Sequence, residues 1–365
     1  MIGGFLGAGK TTAVAELAQR LSDEGKRVGL ITNDQGRELV DTKMLRSRGF
    51  ETEEIPGGCF CCRFNSLVDA AQKLSQDAAP DVFIAEPVGS CTDLVATVTY
   101  PLRRIYGESF TIAPLSVLVD PVRARRVFGL DTGGNFSEKV LYIYKKQLEE
   151  ADVIVVNKAD LLSHAERDEL ASVLQSTYPH AKVMTVSSRN GEGLNEWFGL
   201  IADGSHASRR TMEVDYDIYA DGEALLGWLN ATVQVKAPDG VEADALLRHL
   251  AHTVHERLRQ QGAEVAHFKM TLSPDDAIAG EVAIINLVRN DYVPELCQML
   301  DDEVSGAQII VNLRAEAAPE ALAETLREAL AVTQENHLGT TLTLEHLENF
   351  RPGRPTPTHR DFVAA

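Results

Sequence analysis

The sequence predicts an α/β fold: a doubly wound parallel sheet built around a phosphate loop, followed by a second, smaller α+β domain. Three observations carry this. Short β-branched runs alternate with helical stretches over the first 200 residues. A glycine-rich phosphate loop opens the chain. Beyond a small, polar stretch at Asp203–Ser208 the order of elements changes.

The runs at 28–32, 82–85, 115–119, 153–156 and 183–186 are short and continuously apolar. That is the pattern of strands buried on both faces of a parallel sheet. Helical patterns lie between them, at 12–21, 67–74 and 166–174, and the alternation implies a doubly wound sheet. After the linker, a strand at 231–235 precedes a helix at 243–260. Strands at 265–271, 281–287 and 307–313 follow, then a helix at 319–331. This order suggests a ferredoxin-like α+β sandwich. We therefore expect domains at 1–205 and 215–345. A proline-rich tail at 346–365 is expected to be extended or disordered.

Composition narrows the classes. The 365 residues carry 35 Lys+Arg against 54 Asp+Glu, a net charge of −19. Nucleic acid and anionic membrane both reward positive patches, so neither is expected as a partner. A hydrophobic fraction of 44% is that of a folded globular chain rather than a disordered one. No apolar stretch of about 20 residues exists to cross a bilayer. The start lacks the pattern of a signal peptide, so a cytoplasmic location is expected. Five cysteines are then read as reduced thiols rather than a disulfide scaffold.

Gly4-Phe5-Leu6-Gly7-Ala8-Gly9-Lys10-Thr11 fits G-x-x-x-x-G-K-[ST]. Backbone N–H groups of Gly4, Gly7, Ala8 and Gly9 can wrap phosphate oxygens, and the helix from Thr12 presents its positive end to them. Lys10 would reach the β- and γ-oxygens, and the Thr11 hydroxyl would ligate Mg²⁺. Only Met1 and Ile2 precede Gly3, where a strand of about five residues is expected. We read that strand as truncated.

Asn157-Lys158-Ala159-Asp160 ends the run 153–156. N-K-x-D reads guanine: the Asp160 carboxylate only accepts, and it matches the N1–H and N2–H₂ donors that adenine lacks. Lys158 would lay its stem over the base. Ser187 and Ser188, after the last strand, fall where a loop would meet the guanine carbonyl. Glu86-Pro87-Val88-Gly89 follows the run 82–85. Glu86 is placed to hold Mg²⁺ directly or through water, and the Gly89 N–H to meet the γ-phosphate. Asp34, after another strand, falls on the same crevice, and Asp41 is a weaker switch candidate.

Cys59, Cys61 and Cys62 follow Gly57-Gly58. Three thiolates so close can converge on Zn²⁺, Co²⁺ or Cu⁺. A fourth ligand must come from elsewhere, with Asp34 and Cys91 as candidates, or the position stays open. Taken singly, Cys91 and Cys297 read as buried structural thiols, Cys297 in a helix core. His249 and His252 fall opposite the stripe Leu247, Leu250, Val254 and Leu258, on a solvated face.

Together these motifs resemble the CobW-like metal-handling GTPases, relatives of UreG and HypB. The matching residues are 3–12, Asn33-Asp34-x-Gly36, Gly57-Gly58-Cys59-x-Cys61-Cys62, Glu86-x-x-Gly89 and Asn157-Lys158-x-Asp160. The resemblance implies a P-loop GTPase sheet that binds GTP and Mg²⁺. Lys10, Thr11, Glu86 and Asp34 would serve catalysis with slow intrinsic turnover. The cysteines would carry Zn²⁺ or Co²⁺ for a client metalloprotein, and self-association is compatible with this. Three departures stand out. Asp34 replaces the usual Glu, Glu86-Pro87-Val88-Gly89-Ser90-Cys91 replaces Glu-Ser/Thr-Thr/Ser-Gly, and the His-rich loop is absent. The competing readings are a GTP-regulated activator with a structural zinc, and an ATP-dependent kinase for which Asp160 is irrelevant.

Overall fold

The computed structural model describes residues 1–33, 45, 49–107, 111–203, 211–276, 281–300 and 302–361. They divide into two compact units: the described residues of 1–35, 49–222 and 354–365, and those of 36–48 and 223–353.

In the first unit, β1 (Ile2–Gly4), β2 (Val28–Asn33), β3 (Glu51–Ile55), β4 (Val82–Glu86), β5 (Ser116–Val119), β6 (Val153–Val156) and β7 (Lys182–Thr185) are all parallel to their partners. Two ladders form, in the orders β3-β2-β4 and β1-β5-β6-β7. The three residues of β1 pair with β5 and lie beside β4 without joining its ladder. All four residues of β6 are fully buried, as strands covered on both faces require. The edge strand β3, Glu-Thr-Glu-Glu-Ile, escaped the sequence reading because its charged face suits an exposed sheet edge.

Helices cover the sheet. On α1 (Lys10–Asp23) Ala13, Val14, Leu17 and Ala18 form the buried stripe. Each fully buried Val or Leu contributes about 1.5–3 kcal/mol. Next come α2 (Phe64–Asp77), α3 (Tyr100–Tyr106), α4 (Pro121–Val127), α5 (Glu138–Glu150), α6 (His164–Thr177) and α7 (Leu194–Asp203). Helix α6 starts on a capping box, in which Ser163 and Glu166 satisfy each other's backbone N–H. The parallel arrangement brings the carboxyl ends of the strands to one rim, where an open α/β sheet binds its ligand.

The second unit is an antiparallel sheet in the order β11-β10-β9-β12-β8-β13. Its strands are β8 (Leu226–Glu242), β9 (Glu264–Pro274), β10 (Ala283–Leu287), β11 (Glu295–Gln298), β12 (Glu303–Glu316) and β13 (Thr341–Phe350). Between them run α8 (Ala243–Gln260) and α9 (Pro319–Asn336). The inner order β13-β8-β12-β9 is a split β-α-β arrangement of the ferredoxin-like kind, widened at one edge by β10 and β11. Leu246, Leu247, Leu250, Val254 and Leu258 of α8 are fully buried against this sheet.

The second unit also corrects several expectations. Residues 346–350 belong to β13, not to the tail. Cys297 lies exposed in the edge strand β11 instead of a helix core. In the histidine run, His252 is exposed as expected and His249 half-buried beside the His337 ring. His255 is buried, with its Nε2 bonded to the Asn290 carbonyl at 2.9 Å.

Candidate nucleotide and metal site

The phosphate loop leaves β1 at Gly4 (φ 130°) and enters α1 at Gly9 (φ 89°). A Cβ on Gly4 would stand 2.3 Å from the Leu118 carbonyl, and one on Gly9 2.5 Å from Asn157 Nδ2. Only glycine fits either place. Gly4 thus serves close packing on β5 more than phosphate wrapping. Lys10 is buried and its Nζ donates to the Phe5 carbonyl at 3.5 Å, folding the side chain back over its own loop. The Thr11 hydroxyl donates to Glu86 Oε1 at 3.0 Å, joining the loop to the end of β4. Two buried oxygens of this hardness fit a Mg²⁺ ion. At Gly89 a Cβ would meet Leu6 at 2.8 Å, so the acidic box packs directly on the phosphate loop.

The base box reaches the same loop. Asn157 Nδ2 donates to the Ala8 carbonyl at 2.9 Å, and its Oδ1 accepts from the Ser188 N–H and hydroxyl, both at 3.0 Å. Lys158 Nζ donates to the Gly7 carbonyl at 2.7 Å and to Asp120 Oδ2 at 2.9 Å. The Ser187 hydroxyl donates to Asp160 Oδ1 at 2.6 Å, and Asp160 is exposed. Ser187 thus orients the carboxylate without covering it. Asp120 was missed in the sequence. It is buried at the end of β5, caps α4 by accepting the Arg123 N–H at 3.0 Å, and anchors Lys158. The signal was Val119-Asp120-Pro121, a strand end followed by an N-cap and a proline at N1.

Asn33, at the end of β2, donates from Nδ2 to the carbonyls of Ile55 (2.8 Å) and Gly58 (2.6 Å). It therefore holds the turn that leads into the cysteines. Gly57 (φ 75°) and Gly58 (φ 147°) make that turn possible, and Arg63 clamps the Gly57 carbonyl from Nε and Nη2. The three sulfurs converge: Cys59–Cys61 2.8 Å, Cys59–Cys62 3.2 Å and Cys61–Cys62 3.8 Å. A tetrahedral zinc thiolate site has sulfur–sulfur edges of about 3.8 Å, from Zn–S bonds of about 2.3 Å. One edge already matches, and the other two need to open by about 1 Å or less. The cluster fits metal binding. The Cys59 thiol sits well below its ordinary range because Cys61, then Cys62 and Cys91, hydrogen-bond to its sulfur. Cys61 is held well above that range, first by its bond to Cys59. Cys62 is pushed up to about 11, chiefly by Cys59.

The proline-rich segment is extended, and it lies on this cluster. The Thr356 N–H donates to Cys62 Sγ at 3.2 Å. The Thr358 N–H donates to the Cys61 carbonyl at 2.8 Å, and its hydroxyl to the Cys62 carbonyl at 3.2 Å. The His359 ring meets Phe64 edge-on at 4.8 Å. Arg360 Nε donates to buried Asp93 Oδ2 at 2.7 Å, and the Asp361 N–H to the Ala96 carbonyl at 2.8 Å. Sequence reasoning gave no sign of this contact, which spans 294 positions. Asp34 and Asp41 lie outside the described residues.

A phosphate loop, an acidic box and N-K-x-D on one sheet rim define the class: a P-loop domain of the GTP-binding kind. The family model described as CobW/HypB/UreG, nucleotide-binding domain, matches residues 1–185, and the chain belongs to that family. It is 32% identical over 217 residues to the zinc chaperone CobW of a Sinorhizobium species, covering 53% of this chain and 59% of that one. It is 29% identical over 163 residues to the zinc chaperone YeiR of Escherichia coli K12, covering 44% and 46%. The aligned part thus spans about half the length of these relatives. Among solved structures, Zn(II)-bound YjiA GTPase from E. coli shares 17% identity over 91% of this chain and 97% of its own, with a TM-score of 0.37. Among the described residues no helix is long and apolar enough to cross a membrane.

Proposed function

We propose that this protein is a GTP-binding and GTP-hydrolysing metallochaperone that takes a transition metal at Cys59, Cys61 and Cys62 and passes it to a client protein. The observation that carries the reading is Asn33, which joins β2 on the nucleotide rim to the glycine turn of the cysteines. Its two bonds give the cysteine turn a direct mechanical tie to the sheet that holds the nucleotide motifs. The zinc-chaperone names of its relatives favour Zn²⁺ as cargo, with Co²⁺ compatible with the same thiolates. Reduced thiols suit a reducing compartment such as the cytoplasm.

In this reading Lys10 and the loop N–H groups bind and orient the phosphates. Thr11 and Glu86 hold Mg²⁺, which neutralises charge on the transferring phosphoryl group when bound. Asp160, oriented by Ser187, selects guanine, and Asn157 and Lys158 fix the base box to the loop. No arginine is assigned to the γ-phosphate, which fits slow intrinsic turnover that a client accelerates. Loss of the γ-phosphate contacts then relaxes the loops around the cysteines. The test is metal affinity of the purified protein with a non-hydrolysable GTP analogue, with GDP and without nucleotide. A difference is expected, and equal affinities sink the coupling.

The burial of Cys59 and Cys61 favours a second reading, a GTP-regulated activator with a fixed structural zinc. Chelator competition separates the two. Structural zinc resists removal and its loss unfolds the segment, whereas cargo exchanges.

A further inference from the structure

The stretch after the acidic box leaves a carbonyl and a carboxylate that the segment 354–361 completes. Val95–Thr99 winds as a π-helical turn, in which the Tyr100 N–H bonds the Val95 carbonyl five positions back. The Ala96 carbonyl thereby loses the donor that an α-helix would give it, and the next residue, Pro101, has no N–H to offer. The Asp361 N–H takes that carbonyl at 2.8 Å. Just before the turn, Asp93 is 1% exposed and sits in the left-handed region at φ 64°. Its Oδ2 accepts from the Tyr216 hydroxyl and from Arg360 Nε, both at 2.7 Å. A buried carboxylate is costly without a cationic partner, and Arg360 brings that charge. Ion pairs of Arg354 with Asp217, and of Arg104 with Asp361 at 2.9 Å, add an anchor at each end. Between the anchors lie Thr356 and Thr358, bonded to Cys62 Sγ and to the carbonyls of Cys61 and Cys62. Of these bonds, only that to Cys62 Sγ involves a ligand atom. The strength of the latch and the affinity for metal are therefore separable.

We propose that residues 354–361 are a strap that gates the metal site, latched by Arg360 on Asp93 and by Asp361 on Ala96. This rests on the metal-binding reading above and deepens it. An ion reaches or leaves the cysteines when the strap lifts, a local opening of the kind that lids undergo. The lifting equilibrium then scales entry and exit alike and cancels from the affinity. Cys59 and Cys61 are buried beneath backbone that the strap holds in place, and half-buried Cys62 carries the strap on its own sulfur. A client that takes the metal must therefore meet this protein at the strap.

The experiment mixes the full chain with Co²⁺ under anaerobic, reducing conditions in a stopped-flow instrument. The sulfur-to-cobalt absorption band reports uptake, and its decay in excess EDTA reports release. Arg360→Ala is expected to raise both rates by about tenfold and to leave the equilibrium affinity within about twofold of wild type. Arg360→Lys is expected to fall between the two. Thr358→Pro removes the N–H and the hydroxyl that reach the Cys61 and Cys62 carbonyls while Asp93 keeps Arg360. It is expected to speed uptake and release in the same way. GTP binding checks that each variant is folded, and Thr358→Pro decides if Arg360→Ala is not. Unchanged rates in the folded variants, or faster release with unchanged uptake, overturn the gate and leave the three-cysteine metallochaperone intact. Failure of wild type to take up any Co²⁺ at its cysteines overturns both.

Discussion

Lys158 Nζ and the Gly7 carbonyl are 2.7 Å apart although 151 positions separate them in the chain. The bond ties the guanine box to the phosphate loop, and Asn157 repeats the tie at Ala8. Two side-chain hydrogen bonds thus join the N-K-x-D segment to the phosphate loop. Asp160 is the reader's free-facing group, exposed and oriented by Ser187. Replacing it with Asn would exchange one of its two accepting oxygens for an NH₂ donor, which would face the N1–H or N2–H₂ donors of a bound guanine. GTP affinity should fall at least about a hundredfold while ATP affinity stays low. Competition binding with both nucleotides checks this, and unchanged relative affinities would show that Asp160 does not select the base.

The Thr11–Glu86 bond makes a second prediction. Thr11→Ala deletes a hydroxyl that touches a buried carboxylate. Loss of one partner of such a charged bond costs about 1.5–3 kcal/mol. The variant should bind GTP with an affinity no longer raised by Mg²⁺. Titration calorimetry with Mg²⁺ and with EDTA reads the difference.

Asn33 is the joint between nucleotide rim and cysteine turn. Asn33→Ala leaves the Ile55 and Gly58 carbonyls without this donor. Metal affinity should drop by about tenfold, the scale of losing a group that orients ligands. GTP affinity should hold within a few-fold. Parallel metal and nucleotide titrations distinguish this from general unfolding.

Glu150 predicts a pH effect. It is fully buried, accepts from the Thr92 hydroxyl and the Val95 N–H, and its pKa is raised to about 8, first by burial and then by Asp93. The folded state therefore holds a proton that the unfolded chain releases near its ordinary value of 4.5. Stability conferred this way is complete below that value and is lost as pH rises towards 8. A shift of this size corresponds to several kcal/mol, on the order of 5. Glu150→Gln should flatten the decline, so that its denaturation midpoint exceeds that of wild type at pH 8. Midpoints equal at every pH from 5 to 8 would refute it.

Arg360 latches the extended segment through buried Asp93 and stacks over Tyr216 at 5.1 Å. Arg360→Ala should free the segment and speed alkylation of Cys61 and Cys62 by about tenfold, as expected for losing about 1.4 kcal/mol from a local opening equilibrium. Arg360→Lys should recover part of the protection. Mass spectrometry of iodoacetamide labelling reads each cysteine separately.

The parallel sheet was legible because buried strands such as Val153–Val156 are short, continuously apolar and β-branched, and recur between helical stretches. Motif residues were legible because phosphate and guanine demand fixed chemistry at fixed spacing. Edge elements were not. In β3 three of the five residues are Glu, and in β11 Cys297 stands in an exposed edge strand. Both therefore lacked the apolar signature. Asp120 was hidden because a buried carboxylate at a strand end looks like any helix cap until Lys158 is seen against it. The contact of Thr356 with Cys62 had no local signal at all, since it depends on where a segment returns after the whole second unit.

That return has a consequence in time. The cover over Cys62 is made 294 positions after the thiol it covers. At about 5–20 residues per second of synthesis, Cys59, Cys61 and Cys62 leave the ribosome about 15–60 s before Thr356 exists to shield them. Each newly made molecule therefore passes through a window in which its thiols meet metal ions and oxidants with no strap in place. A metal captured in that interval would be covered once Thr356 and Thr358 reach the cluster, with no opening step required.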